Sequence, residues 1–374
     1  MPAKSTLIES TWVSSAEACE RLAVRPQTLY AYVSRGLLHP RRTDRRSWYD
    51  VRELDALSAT GRRRSRSGRL EVLIDTELTL LEPEGRLSYR GVDVAQIAGL
   101  WSFERTAAWL WSGVDDGEPD PWPRGSAVTT SGDRPASRLH VAAALLAADA
   151  PDADRRIEAV DGVGPRLIAS LVVSLPAVAD AAPAGGSMVA RLWPRLTPLA
   201  PNPARLRALD AALVLLADHE LAASTVAARV AASVWSPPID VVVAGMAAHS
   251  GFLHGGAMTL VEDALRAGDV PTIGYGHPLY SGPDPRAVAL RPLLEAAAPK
   301  LPRAVRAALE PRGGVAPNAD VAVAALAVGL RMVPGAGEAV FAIARTAGWL
   351  AHAAEEYRNP FRFRPRASYT GPRP

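Results

Sequence analysis

GYGHPLYSGPDPR, residues Gly274 to Arg286, sets three glycines and three prolines around one histidine and closes on an arginine. A regular helix is excluded here, because proline removes a backbone donor and glycine gives up the most conformational entropy on ordering. The chain is therefore held in one irregular shape, with His277 towards one end and Arg286 at the other. Three other segments have the same character: DHELAAST (Asp218–Thr225), HSGFLHGGAM (His249–Met258) and APNAD, which ends at Asp320. Each sets a titratable or hydrogen-bonding group beside Gly, Pro or Asn, residues that turn the backbone and aim their neighbours.

Outward from these segments the chain reads as mainly α. Ala-, Leu- and Val-rich helical stretches follow Asp93, interrupted at the Gly- and Pro-rich loops. SFERTAAWLWSG (Ser102–Gly113) is amphipathic, with Ser102 as its cap. EVLIDTELTLLEPEGRLSYRG (Glu71–Gly91) alternates like strands and has a turn at EPEG. DDGEPDPWPRGSAVTTSGDRP (Asp115–Pro135) reads as a long mobile loop.

The chain has 374 residues, enough for about two domains, and is 48% hydrophobic, enough for a large core. It contains no apolar run of membrane-spanning length, and its N-terminus lacks the apolar stretch of a secretory signal. A single cysteine, Cys19, excludes an internal disulfide. The expectation is a soluble, cytoplasmic protein without membrane contact.

The net charge of +3 hides an asymmetry: residues 1–69 carry 14 Lys and Arg against 7 Asp and Glu, a net +7, which leaves −4 for the rest. A basic head on a mildly acidic body points to a separate partner for the head, duplex DNA among the candidates. SSAEACERL has Ser14 followed three residues later by Glu17, a capping box. After a break at AVRP comes QTLYAYVSRG, a second helix, then a basic stretch HPRRTDRRSWYD with a possible two-stranded wing, and a third helix from Asp50. Ala18, Leu22, Val24, Leu29 and Val33 form the expected small core. This order resembles the winged helix-turn-helix of the MerR and excisionase type. The resemblance implies a DNA-reading domain over 1–60, with Gln27, Thr28 and Tyr30 at base edges, Arg41, Arg42, Arg45 and Arg46 along phosphates, and Arg25 as a further DNA-binding candidate. GRRRSRSGR, residues 61–69, is a basic linker by composition.

Read one by one, the candidate residues stay ambiguous. A lone histidine near a helix end is usually structural. His249 and His254 lack HxxxH or HExxH spacing and have no cysteine partner, so no metal site is expected. LHGGA could cradle a phosphate, but GxxxxGK[ST] and GxGxxG are both missing.

The order of the segments is more telling. DHE…AST, LHGGA, GYGH…Y…DPRA, PN.D, AIARTAGW.AH and RPRA.Y.G together resemble the citrate synthase family, over a stretch from about Leu70 to the C-terminus. The resemblance implies a two-domain helical fold, with a large domain at 70–254 and 331–374 and a small one at 255–330, in a homodimer. It implies condensation of an acyl-CoA with a 2-oxo dicarboxylate, chiefly acetyl-CoA with oxaloacetate. Asp320 would be the base, His254 the donor that stabilises the enol, and His277 the electrophile at the ketone. His219, Arg286 and Arg345 would bind the dicarboxylate, and Arg364 would come from the neighbouring subunit. Neither a metal nor a redox cofactor is implied, since acyl-CoA enters as substrate.

The sequence leaves the family pattern at Met258, where Asn is common, at Pro278, where Arg is common, and at Val321 to Ala324, which replace Phe-Tyr-Ser-Gly. These changes open the choice of acyl group, so 2-methylcitrate synthesis or another acyl-CoA/2-oxo acid condensation is an alternative. A second alternative is a DNA-binding regulator with a metabolite-sensing body.

Overall fold

The computed structural model describes residues 12–22, 24, 26, 29, 32–33, 38–43, 46–55, 57, 74–150, 158–179, 186–358 and 363. The chain divides into two compact units, Met1–Asp75 and Thr76–Pro374.

In the first unit, β1 (Trp12–Ser14), α1 (Ser15–Leu22), β2 (Arg41–Thr43) and β3 (Arg46–Asp50) are formed. The strands make one antiparallel sheet in the order β1-β3-β2, with Val13 opposite Tyr49 and Arg42 opposite Ser47. The expected two-stranded wing therefore has a third strand. Val13 on that strand packs against the unit's core, which is too short a signal to read from three residues. The capping box is present: Ser14 donates to Glu17 Oε2 through its N–H and its hydroxyl, both at 2.8 Å. Residues 51–55 are helical, and Asp50 Oδ1 accepts the Arg52 N–H at 2.8 Å. Ala18, Leu29, Leu38, Tyr49 and Leu54 are buried together, with Leu22, Val24 and Val33 at the edge. Arg41 and Arg46 are exposed on β2 and β3. Arg25, Gln27, Thr28, Tyr30, Arg45, the side chain of Arg42 and the linker 61–69 lie outside the described residues.

The second unit opens with a meander, β4 (Thr79–Glu82), β5 (Arg86–Tyr89) and β6 (Val92–Asp93), in that order across the sheet. Its first turn is the expected EPEG, closed by Gly85 N–H to Glu82 O at 2.9 Å. Helices then follow: α2 (Val94–Ile97), α3 (Phe103–Ser112), α4 (Pro135–Asp149), α5 (Glu158–Val173), α6 (Met188–Leu196), α7 (Pro203–Leu216), α8 (Ala223–Ser233), α9 (Pro238–His249), α10 (Gly255–Ala267), α11 (Pro285–Ala297), α12 (Arg303–Ala308), α13 (Ala319–Gly329) and α14 (Ala336–Arg358). Local chemistry sets many of the starts. Ser102, Ser187, Asn202, Asp284 and Asn318 each accept a first-turn N–H, a contact usually worth about 1 kcal/mol. Proline opens α4, α7, α9 and α11, where its missing donor costs nothing. Among the described residues, no helix is long and apolar enough to cross a membrane.

The long loop before α4 differs from its reading as mobile. Trp122 is buried, its ring stacked 5.8 Å from Trp111 and edge-on to Phe103. Ser170 and Ser174 hydroxyls accept the N–H groups of Ser126 and Val128 at 2.9 and 3.0 Å. One aromatic anchor and side chains from another helix fix a segment whose own composition favours no regular structure.

α14 is buried almost along its whole length. Its small residues let neighbouring backbones close in. Gly348 N–H donates to Ala217 O at 3.1 Å, and a Cβ added there would lie 2.5 Å from Asp218 Oδ1. Gly348→Ala is therefore expected to lower unfolding free energy by about 1–3 kcal/mol through overpacking, read as a shift in denaturant midpoint at unchanged slope.

Below this contact runs a buried ionic chain. Asp218 Oδ2 accepts from Thr79 Oγ1 at 2.5 Å and faces His352 Nε2 at 3.4 Å. His352 Nδ1 meets Arg229 Nη1 at 2.8 Å. Arginine can only donate, so the His352 proton is on Nε2, towards Asp218. Arg229 continues to Glu355 and Glu356, each at 2.7 Å, and Glu355 accepts from Thr76 Oγ1 and the Glu77 N–H.

Candidate active site

The DHE segment is the turn between α7 and α8. Asp218 Oδ2 accepts the Glu220 N–H at 3.1 Å, and Glu220 is left-handed at φ 56°. Such a conformation costs of order 1–3 kcal/mol and is held by its surroundings. It sets His219 at the apex, buried, with Nε2 2.9 Å from the Tyr280 hydroxyl.

LHGGA ends in the start of α10, with His254 at the N-cap position. Its Nε2 is 2.8 Å from the Ser224 hydroxyl in the first turn of α8. The GYGHPLYSGPDPR loop is tied at both ends. Gly274 has φ +90°, and a Cβ there would strike Val321 at 2.7 Å, so only glycine fits. Gly276 N–H donates to Ala316 O, Asn318 N–H to Gly274 O, and the Asn318 amide to Gly276 O, which joins the loop to the start of α13. Ser281 donates twice to Pro83 O, through N–H and hydroxyl, both at 2.8 Å, so the loop also rests on the β4–β5 turn. Within the loop, Leu279 N–H donates to His277 Nδ1 at 3.3 Å.

Two knots of side chains result. In one, His219 and His277 lie 5.0 Å apart, edge to face, and His277 is 5.2 Å from Tyr280. Arg286 belongs here, bonded through Nε and Nη2 to Asp284 at 3.0 and 2.7 Å. In the other, His254 meets His249 at 4.8 Å and Phe341 at 5.7 Å, and the Arg345 guanidinium lies 4.7 Å over Phe341. Arg345 is 1% exposed; its Nε donates to Leu216 O at 2.9 Å, while Nη1 and Nη2 are buried without a partner among the described residues. The two knots act on each other, since Arg286 and Arg345 both disfavour a charged His219 and a charged His254.

A sequence profile of the citrate synthase C-terminal domain matches residues 127–272 and 258–366. The chain belongs to the citrate synthase family. The citrate synthase of Haloferax volcanii is 34% identical over 197 residues, covering 46% of this chain and 52% of the relative. 2-Methylcitrate synthase 2 of Corynebacterium glutamicum is 30% identical over 196 residues, 46% of this chain and 51% of the relative. The chain thus spans about half the length of these curated relatives. The crystal structure of citrate synthase from Thermotoga maritima superposes with a TM-score of 0.66 over 82% of this chain and 96% of that one, at 23% identity, and shares the fold.

In this member of the citrate synthase family, the charge states of the site are set by burial. His254 and His277 are both pushed down to about 4, first by burial; Arg345 and Arg286 add to it at His254, and Arg286 at His277. His219 falls well below the ordinary range, again by burial first and then by Arg286 and Arg345. All three imidazoles are therefore neutral near pH 7. Asp320 is raised to about 6, by burial, with Arg286 opposing and Asp284 reinforcing the rise. Arg345 is lowered to about 10 by burial and stays cationic at neutral pH.

Of the residues singled out in the sequence, His219 and His277 pack together beside Arg286, His254 and Arg345 meet at Phe341, Asp320 is within electrostatic reach of Arg286, and Arg364 lies outside the described residues. Asp320 is not the helix cap that its place before VAVAALAVGL suggests. Asn318 is the cap, and Asp320 is the second helical residue, its N–H bonded to Asn318 Oδ1 at 2.9 Å. Val321, Ala322, Val323 and Ala324 are all buried in the packing of α13. Among the described residues no group of three His, Cys, Asp or Glu side chains is arranged to hold a metal ion. Sequence reasoning missed Tyr280, Ser224, Phe341 and Asp284. Each had a signal: Tyr280 and Asp284 share the His277 loop, Ser224 stands in AST, and Phe341 is one helical turn before Arg345.

Proposed function

We propose that the chain condenses an acyl-CoA with a 2-oxo dicarboxylate, in the first place acetyl-CoA with oxaloacetate to give citrate and CoA. Asp320 takes a proton from the acyl α-carbon. His254 holds the thioester oxygen as the enol forms; a Ser224 hydroxyl donating to Nε2 leaves the His254 proton on Nδ1 for this bond. The α-carbon attacks the ketone carbon, and the resulting alkoxide takes the proton of His277 Nε2. Water then cleaves the thioester, releasing a carboxylate and the CoA thiol. Arg286, Arg345 and His219 bind the substrate carboxylates, for which guanidinium forks are well shaped. Protons and fixed donors carry all the charge movement, so the scheme uses neither metal nor redox group. Closure of a small lobe, 255–330, on the large one would keep water from the enol.

One observation carries this reading: packed imidazoles, two on one side and His254 on the other, flank a buried guanidinium, Arg345, whose Nη1 and Nη2 have no partner among the described residues, with Asp320 coupled to the site through Arg286. Arg345 asks for an anion, and the imidazoles ask for acceptors. A thiol-release assay over a panel of acyl-CoAs and 2-oxo acids tests it. Release should require both substrates, and propionyl-CoA decides between citrate and 2-methylcitrate synthesis. Release from no pair would leave the body as a ligand-binding sensor.

A pH prediction follows from the same groups. The base works ionised, so turnover should rise as pH increases through about 6 and stay level to pH 8, because the imidazoles lose their protons already near 4. A kcat profile over this range checks it; an acid limb near 4 would remove Asp320 as the base.

For the head we propose duplex DNA binding, supported by its net +7 and by exposed Arg41 and Arg46 on the β2–β3 ribbon. If about four phosphates are neutralised, the logarithm of affinity should fall against the logarithm of salt with a slope near −3.6. Anisotropy of the full chain over a salt series measures it. Absence of salt-dependent binding at low ionic strength would assign the head to protein contacts.

A further inference from the structure

We propose that Tyr280 is a positioning residue that fixes His219 as an Nδ1–H donor, and that the pocket therefore selects 2-oxo over 2-hydroxy dicarboxylates. The second half rests on the proposed condensation for the identity of the ligand; the first does not.

The argument begins with the phenol. Tyr280 is 7% exposed, and among the described residues its hydroxyl has one partner, His219 Nε2, at 2.9 Å. Burial raises its pKa well above the ordinary phenol range, although Arg286 opposes this, so the hydroxyl keeps its hydrogen. The imidazole has one proton, since burial and the neighbouring Arg286, Arg345, His277 and His254 keep it neutral. Two arrangements are possible. If Nε2 held the proton, it would donate to the phenol oxygen, and the phenol hydrogen would be buried with no acceptor. If Tyr280 donates to Nε2, the phenol hydrogen is used, and the imidazole proton stands on Nδ1, which has no partner among the described residues but, unlike the ring nitrogens of His249, is not sealed from solvent. The cost of an unmet buried donor favours the second.

His277 is built the opposite way. Leu279 N–H occupies Nδ1 at 3.3 Å, so its proton is on Nε2. Two neutral rings 5.0 Å apart thus carry their protons on opposite nitrogens, each fixed by a donor from the same loop. With the unpartnered Nη1 and Nη2 of Arg345 and the guanidinium of Arg286, the ligand would face donors. A ketone and two carboxylates offer only acceptors. A hydroxyl brings a hydrogen of its own, which none of these four side chains accepts, and the Asp320 carboxylate is given to the acyl α-carbon in the proposed reaction; sites lined by donors discriminate strongly between such pairs.

Two readouts on the full-length protein test this, using Tyr280→Phe, which removes only the hydroxyl. First, nitrogen NMR of uniformly 15N-histidine-labelled protein, with His219→Gln to assign the signal, reports the tautomer without any substrate. The wild type should show His219 protonated at Nδ1, and Tyr280→Phe should give a mixture. A wild-type His219 protonated at Nε2 overturns the proposal, whatever the reaction proves to be. Second, calorimetric titration with oxaloacetate and with malate should show the preference for oxaloacetate falling about tenfold in the variant, with acyl-CoA binding unchanged. An unchanged preference overturns the selectivity claim. If wild type binds neither acid, the condensation reading and the selectivity claim fail together while the tautomer result still stands on its own.

Discussion

Asp320→Asn is expected to lower turnover by about 10²- to 10⁴-fold, the usual loss when a positioned general base is removed. Asparagine keeps the size and polarity of the side chain but cannot take a proton from carbon. The cap of α13 belongs to Asn318, so helix formation does not depend on the substituted carboxylate. Asp320 also sits in a place where burial disfavours its charge, and an amide relieves that cost. The variant should therefore fold at least as stably as the wild type and bind oxaloacetate, whose proposed partners are Arg286, Arg345 and His219. Kinetics paired with oxaloacetate calorimetry separate the two effects. Near-normal turnover would take Asp320 out of the mechanism, and loss of oxaloacetate binding would mean that it orders the pocket instead.

Arg286→Gln should fail in a different manner. Arg286 and Asp284 form a buried two-bond pair, and removing one partner from such a pair typically costs about 3–5 kcal/mol, because the other charge is left uncompensated. The pH dependence has a definite sign. Asp284 is pulled below its ordinary value, for although burial pushes it up, Arg286 and the Ala319 N–H more than offset that. Its contribution is present above the unfolded value and is lost as pH falls through the depressed one. Wild type and variant should thus differ most at neutral pH and converge in acid. Asp284→Asn in the Arg286→Gln background should recover part of the stability and none of the oxaloacetate binding. Any residual activity should show its acid limb above 6, since Arg286 is the charge that opposes the upward push on Asp320. Denaturant midpoints across pH read the stability of both variants, oxaloacetate calorimetry reads the binding, and a pH–rate profile reads the acid limb.

Sequence patterns carried the local features furthest. The Ser14–Glu17 box, the Ser102 cap and the EPEG turn each rest on residues a few positions apart, and each is formed as read. The site segments were visible for a related reason: Gly, Pro and Asn flag a shaped backbone before anything is known of its neighbours. What the sequence hid was mostly a matter of distance along the chain. Trp122 gives no sign that Trp111 will stack on it, so the loop around it looked mobile. Tyr280 is in the same loop as His277, but its hydrogen bond goes to a residue 61 positions away. The Asn318 cap was hidden differently, since Asn318 and Asp320 are both good capping residues and only the helix start decides between them.

The buried chain from Thr76 through Glu355, Arg229 and His352 to Asp218 ends next to His219. Its members bond one another in series, with Glu356 and the N–H groups of Glu77 and Glu220 as side partners. Substitutions along it should therefore be strongly non-additive: the first break exposes its neighbours to the full penalty, and the second costs little more. A library that varies these positions one at a time will report several indispensable residues where there is a single cooperative device, and homologues that differ there should differ at several of them together.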